Sequence, residues 1–165
     1  MILVADASAL IALASCDGLA LLEAIYDNVI VPEAVAKEVV VGDKPQATRL
    51  QAFLIDKVRT VDMSRYVYLD AFADAGETQA MLLYKEVDAN YLLIDDKRGR
   101  KVAKINQIRT VGSLGVLLQA KQMGLLPSIK PMLDQIASSP IYISESLITI
   151  VLELAGELEQ GEKRP

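Results

Sequence analysis

The sequence predicts an α/β fold, a three-layer α/β/α sandwich around a central parallel sheet of about five strands, on three observations. Tyr91 to Ile94 is a run of four large apolar residues with no polar interruption, and Ile2 to Ala5 is a second apolar run, so both read as strands buried on both faces. Such strands alternate with helix-length segments along the chain, a spacing that calls for parallel pairing through crossovers. Both runs stop at acids, Asp6 and the pair Asp95-Asp96, and the carboxyl ends of parallel strands are where such sheets bind ligands.

Taken in order, Ile2 to Ala5 is the first strand and Ala7 to Ala14 a helix rich in alanine and leucine, with Asp6 at the junction as a possible N-cap. Gly18 to Tyr26 reads as a second helix and Val29 to Val31 as a short strand, and Pro32 suits the first turn of the helix that runs to Val41. On a helical wheel Val31, Ala34, Val35 and Glu38 share a side, whereas Glu33 and Lys37 project from the other. An acid in an apolar stripe costs several kcal/mol unless it has a partner or a ligand, so Glu38 calls for an explanation, either a buried pair with an arginine or a bound group.

Gly42 to Gln46 reads as a turn, Ala47 to Ile55 as a helix and Val58 to Val61 as a third strand. Met63 to Ala73 is helical in part. Asp74-Ala75-Gly76-Glu77 has the form of a capping box opening a helix to about Val87. Glu77 falls among Ala80, Met81 and Tyr84 on that helix, and it either reaches back to the cap or serves a ligand. Beyond the central strand come a helix from Lys97 to Ile105, capped by Asp95 or Asp96, and a fifth strand from Ile108 to Val111. The turn at Gly112-Ser113 leads into an apolar helix through Met123. Pro127 to Ala137 suggests another helix. Ser144 to about Glu159 is a last one, with Leu147, Ile148, Val151, Leu154, Ala155 and Leu158 as its apolar stripe, docked on its own domain or on a partner. Gln160 to Pro165 is a polar tail.

At 165 residues the chain is expected to form one domain, 1–165, able to bury roughly 70% of its unfolded surface. One cysteine, Cys16, and no histidine remove disulfide frameworks, zinc clusters and imidazole chemistry. A metal site here would have oxygen ligands, which suit hard cations such as Mg2+ or Mn2+. The apolar amino terminus lacks a basic flank and is broken by Asp6, so it reads as folded chain. With no longer apolar run, the expectation is a cytoplasmic protein with no membrane attachment.

Asp6, Glu38, Glu77, Asp95 and Asp96 share one property: they are acids at strand ends or on core-facing sides of helices. Gathered, each pair at about 5 Å repels by roughly 3 kcal/mol at an effective dielectric near 20, which a divalent cation relieves. Two such ions can activate water and stabilise the leaving oxygen of a phosphodiester, so hydrolysis is feasible without histidine.

The stretches Asp6-Ala7-Ser8, Val31-Pro32 followed by Glu38, Gly76-Glu77, Leu93-Ile94-Asp95-Asp96 and Thr110 to Leu118 together resemble the PIN-domain ribonucleases, the group that includes VapC-type toxins. GET, LLIDDKRGR and TVGSLGVLLQAK are similar to a prokaryotic PIN subgroup with an added carboxyl-terminal helix, which accounts for 144–159. The resemblance implies metal-dependent cleavage of RNA, a homodimer, and inhibition by a small antitoxin protein. By position it makes Asp6, Glu38, Glu77 and Asp96 metal-binding acids, with Asp95 competing for the last place. Many family members have Asp where Glu77 stands and Thr-x-Asp at the fourth strand, so the choice between Asp95 and Asp96 stays open.

From Lys97 to Leu133 there are eight Lys or Arg and no acid, which, in a chain of net charge −5, leaves the remainder at −13. These cations begin beside the acids, where they could hold phosphates. Ser8, Arg98, Arg100 and Ser113 are the candidate substrate-side residues, Ser8 also as a group that orients Asp6. With no Trp and two Phe, recognition by base stacking is weak.

Two readings compete with a nuclease. One is a catalytically silent PIN-like module that binds protein or nucleic acid. The other is a phospho-receiver or phosphatase, which would keep a lysine after the last strand where this chain has Arg109-Thr110. A nucleotide-binding fold fails for want of a glycine-rich loop after the first strand.

Overall fold

In the computed structural model, which describes residues 1–42, 45–65 and 74–158, five parallel strands form one sheet in the order β3-β2-β1-β4-β5. They are β1 (Ile2–Ala5), β2 (Asn28–Pro32), β3 (Val58–Arg59), β4 (Tyr91–Leu93) and β5 (Thr110–Val111). Register is set by Leu3 opposite Val29 and Tyr91, and by Val4 opposite Ile30 and Leu92. The alternation of side chains divides these residues between two cores. Leu3, Ala5, Val29, Val31 and Leu93 face one layer, and Val4, Ile30, Leu92 and Ile94 face the other. That is why the central runs contain no polar residue.

The first layer holds α1 (Ala7–Ser15), α2 (Leu19–Ile25), α4 (Pro45–Phe53), α7 (Ser113–Gln122), α8 (Lys130–Ala137) and α9 (Glu145–Leu154). The second holds α5 (Ala75–Glu86) and α6 (Lys97–Ile105). Between them α3 (Glu33–Val39) leans on α1 and α5 at the carboxyl edge of β2. Among the described residues no single helix is long and apolar enough to cross a membrane.

Several boundaries differ from the sequence reading. Both edge strands are two residues long, because an edge strand has only one neighbour to pair with: Val61 lies past the last paired residue of β3 and Ile108 before the first of β5. Pro32 ends β2 in an extended conformation and caps α3 instead of entering it. Helix α4 starts at Pro45, two residues early, with proline at its first position. Helix α8 starts at Lys130, three residues late, and α9 stops at Leu154, with Gly156 at φ 69° just beyond. The predicted α9 stripe is only partly docked: Val151 is buried and Ile148, Ala155 and Leu158 pack against the first core, but Leu147 and Leu154 are 44% and 68% exposed, while Leu152, off the stripe, is buried. A short 3-10 turn at Met63–Arg65 is the described part of the region 63–73. Residues 43–44 of the predicted 42–46 turn, residues 66–73 and the tail from 159 lie outside the described residues, and Pro45 and Gln46 already belong to α4.

A long-range carboxylate ties the carboxyl-terminal segment down. Helix α8 has no side-chain cap of its own. Glu157 supplies one, accepting from the N–H of Ile129 at 2.8 Å and of Lys130 at 3.0 Å, from Ser128 Oγ at 2.6 Å and from Lys121 Nζ at 2.5 Å. Burial pushes this carboxyl up, but the bonds from Lys121, Ser128, Ile129 and Lys130 outweigh it and hold its pKa at about 2. A depressed acid stabilises the fold above its unfolded pKa and ceases to do so as pH falls towards 2. Glu157→Ala is expected to cost about 2–3 kcal/mol at neutral pH, read as a lower urea midpoint with unchanged slope.

Candidate functional site

The strand order reverses between β1 and β4, since the chain leaves β1 toward β2 on one side and reaches β4 and β5 on the other. The cleft beyond the carboxyl ends at such a switch point is the natural binding position of an open parallel sheet. Asp6 stands in it: its N–H donates to the Leu93 carbonyl at 2.9 Å, which pins the end of β1 to the end of β4. The Asp6 side chain is 3% exposed and accepts from Ser8 Oγ at 3.0 Å. Burial pushes the Asp6 carboxyl up, against hydrogen bonds from Ala7 and Ser8, and the charge of Asp74 pushes it further.

Glu77 enters from α5. Asp74 caps that helix, accepting from the Glu77 N–H at 2.8 Å. The Glu77 side chain is 7% exposed, and its pKa rises to about 7 through burial and then through the charges of Asp74, Asp6 and Asp96, with the Asp74 N–H opposing. Glu38 enters from the end of α3. It is exposed, not sunk in the apolar stripe the helical wheel gave it, because the side of α3 that packs inward carries Val35, Ala36 and Val39, and Glu38 lies off that side with Lys37. Partial burial, then Asp74 and Asp6, raise its carboxyl too.

Asp96 and Asp95 part company. Asp96 is exposed, caps α6 through the Gly99 N–H at 2.7 Å, and acts on Glu77. Asp95 turns to β5 and α7, where it accepts from the Ser113 N–H at 2.7 Å and from Ser113 Oγ at 2.6 Å. Its own N–H donates to Ser8 Oγ at 3.1 Å. Ser113 is 1% exposed and committed to Asp95, so its hydroxyl does not face the cleft as a free substrate contact. Arg98 is exposed. Arg100 leans over Gly112 toward Asp95: a Cβ added at Gly112 would lie 2.9 Å from both Arg100 Nη1 and Asp95 Oδ1.

Two glycines leave the acids their room. A Cβ at Gly99 would sit 2.8 Å from Glu77 Oε1 and 2.5 Å from Ile94 Cδ1, and one at Gly76 would sit 3.1 Å from Glu38 Oε2. The sequence reading missed Asp74 as a member of the cluster, because a capping box already explained it. A hollow of about 280 Å³ among α1, α3, α4 and Ser139 to Ile141 has Glu38 on its wall, but the other acids are not part of its lining.

The donors are all carboxylate oxygens, and the charges acting on Asp6, Glu38 and Glu77 are all acidic. That chemistry, with the space held open by Gly76 and Gly99, fits a hard divalent cation. Among the described residues no three of these side chains are closed to ligating distance on one point. Without a cation, a raised Glu77 favours folding at acid pH and costs stability as pH rises from 4.5 through 7, since the folded state then holds the extra proton. In chelator the melting temperature is therefore expected to fall between about pH 5 and pH 8, and Glu77→Gln to flatten that fall. An equal decline in the variant would place its origin elsewhere.

The sequence model of the family described as DUF3368, PIN domain, matches residues 2–157. No curated protein matches the chain.

Proposed function

Since the chain belongs to the PIN-domain family, matched over residues 2–157, we propose that it is a Mg2+- or Mn2+-dependent endoribonuclease, the toxin of a toxin–antitoxin pair. The observation that supports this reading is that Asp6, Glu38, Asp74, Glu77 and Asp96 lie close enough at the switch point of the sheet to act on one another, and that among the described residues the charges acting on Asp6, Glu38 and Glu77 are all acidic. Asp6, Glu38, Glu77 and Asp96 would hold the metal, with Asp74 beside them. A divalent ion bound there supplies a Lewis acid to the phosphodiester and makes water a stronger nucleophile at neutral pH.

The chain's own groups do the positioning. Ser8 Oγ fixes Asp6 with one bond and receives the Asp95 N–H in another, so the first acid is tied to the end of β4. The Gly99 N–H aims Asp96. Lys97 and Arg98 follow Asp96 in the chain and are exposed to meet phosphate. A cytoplasmic location, a homodimer and a small protein antitoxin belong to the same proposal. Its test is cleavage of mixed RNA by the purified chain in Mn2+ or Mg2+ against a chelator control, with fragments ending in 5′-phosphate and 3′-hydroxyl. Intact RNA in both arms, together with a stable complex with a small partner protein, favours the silent binding module.

A further inference from the structure

We propose that the exposed face of α6 is a track for the backbone of a single-stranded polynucleotide, delivering it to the acid cluster. The proposal rests on the nuclease reading for its destination, but its evidence lies in α6 itself. Lys97, Arg98, Arg100, Lys101 and Lys104 are all exposed, whereas Gly99 and Ala103 are buried against Glu77, Ile94 and the second core. At about 100° per residue Lys97, Lys101 and Lys104 lie within roughly 60° of one another, forming a ridge about 10 Å long. Arg98 flanks it, and Arg100 is drawn aside toward Asp95.

This ridge works against the helix that carries it. Lys97 and Arg98 occupy the first turn, where the helix dipole disfavours cations, and like charges three and four residues apart repel. Helix α6 contains no acidic residue to relieve them. Among the described residues, side-chain ion pairs engage Lys37, Arg49, Lys57 and Lys121, and none of the α6 cations. The sequence holds 22 acids, and among the described residues none forms an ion pair with this face.

The direction of α6 gives the ridge its use. Its first residue follows Asp96, its Gly99 packs on Glu77, and its axis leads away from the acids to the start of edge strand β5. A strand lying on the ridge therefore arrives at the carboxylates, while the acidic remainder of the surface repels it elsewhere. The chain has no Trp and two Phe, so the contact reads phosphate rather than stacked bases.

Salt dependence tests this without cleavage. Asp6→Asn protein in chelator is titrated with a labelled oligouridylate, and with a duplex of equal length, between about 50 and 200 mM salt. Replacing Lys97, Lys101 and Lys104 together by Gln is expected to reduce the slope of log affinity against log salt by about 2, so roughly 20-fold of the salt-driven loss disappears. Arg59→Gln, on the opposite edge strand β3, is expected to leave the slope unchanged. An unchanged slope in the triple variant, with its melting temperature intact, overturns the proposal, as does tighter binding of the duplex than of the single strand. A lost slope beside an inert wild-type protein in Mn2+ would instead keep the track and sink the nuclease reading.

Discussion

Asp6→Asn is expected to lower RNA cleavage by about a thousandfold, roughly 4 kcal/mol of transition-state stabilisation, while the melting temperature holds or rises. The two effects have one cause. Asp6 is 3% exposed beside Asp74, and its carboxylate is disfavoured by burial and by that charge. Asparagine keeps the shape and can still accept from Ser8 Oγ, so the junction between β1 and α1 is preserved. It removes a negative charge from a place that supplies no positive one, and relieving that repulsion stabilises the cation-free protein. A structural aspartate behaves the other way: its loss lowers the melting temperature and touches activity only through unfolding. Circular dichroism melts in chelator, run beside the cleavage assay, separate the two. A destabilised variant with activity in proportion to its folded fraction would make Asp6 a helix cap and nothing more.

Sequence patterning revealed those parts of the fold whose cause is local. The strands β1 and β4 were legible because both faces of each are buried and every position must be apolar, and α6 was legible to the residue because Asp96 opens it and its charges fall on one side. The edge strands were read too long, since β-branched residues favour extended chain whether or not a neighbour pairs with them. Glu38 was found for a reason that does not hold. The wheel placed it with Val35, which is fully buried, yet the buried side of the helix turns out to be Val35, Ala36 and Val39, and the acid lies beside that side, in the open. Asp74 was hidden by the opposite fault, a sufficient local explanation that concealed a long-range role. The order of the strands, which brings Asp6 beside Leu93, has no local signature at all.

The adjacent aspartates that one sequence could not rank are expected to separate cleanly. Asp96→Asn keeps a favoured cap residue on α6, because the Asn oxygen can take the Gly99 N–H, so stability should change by less than about 0.5 kcal/mol. What it loses is a charge beside Glu77, and cleavage is expected to drop by about a hundredfold or more. Asp95→Ala removes both acceptors from Ser113, a residue 1% exposed, and leaves its N–H and its hydroxyl without the bonds they make at 2.7 and 2.6 Å. Stranding two buried donors costs about 2–4 kcal/mol, because each pays its desolvation without return. The tie from β4 to α7 goes with them, and any loss of activity should follow the loss of folded protein. Asp95→Asn, which retains one oxygen, is expected to recover about half of that stability. Urea midpoints and cleavage rates for the three variants decide the matter. A dead, fully stable Asp95→Ala would move the metal ligand from Asp96 to Asp95 and leave Ser113 holding a side chain whose work lies in the cleft.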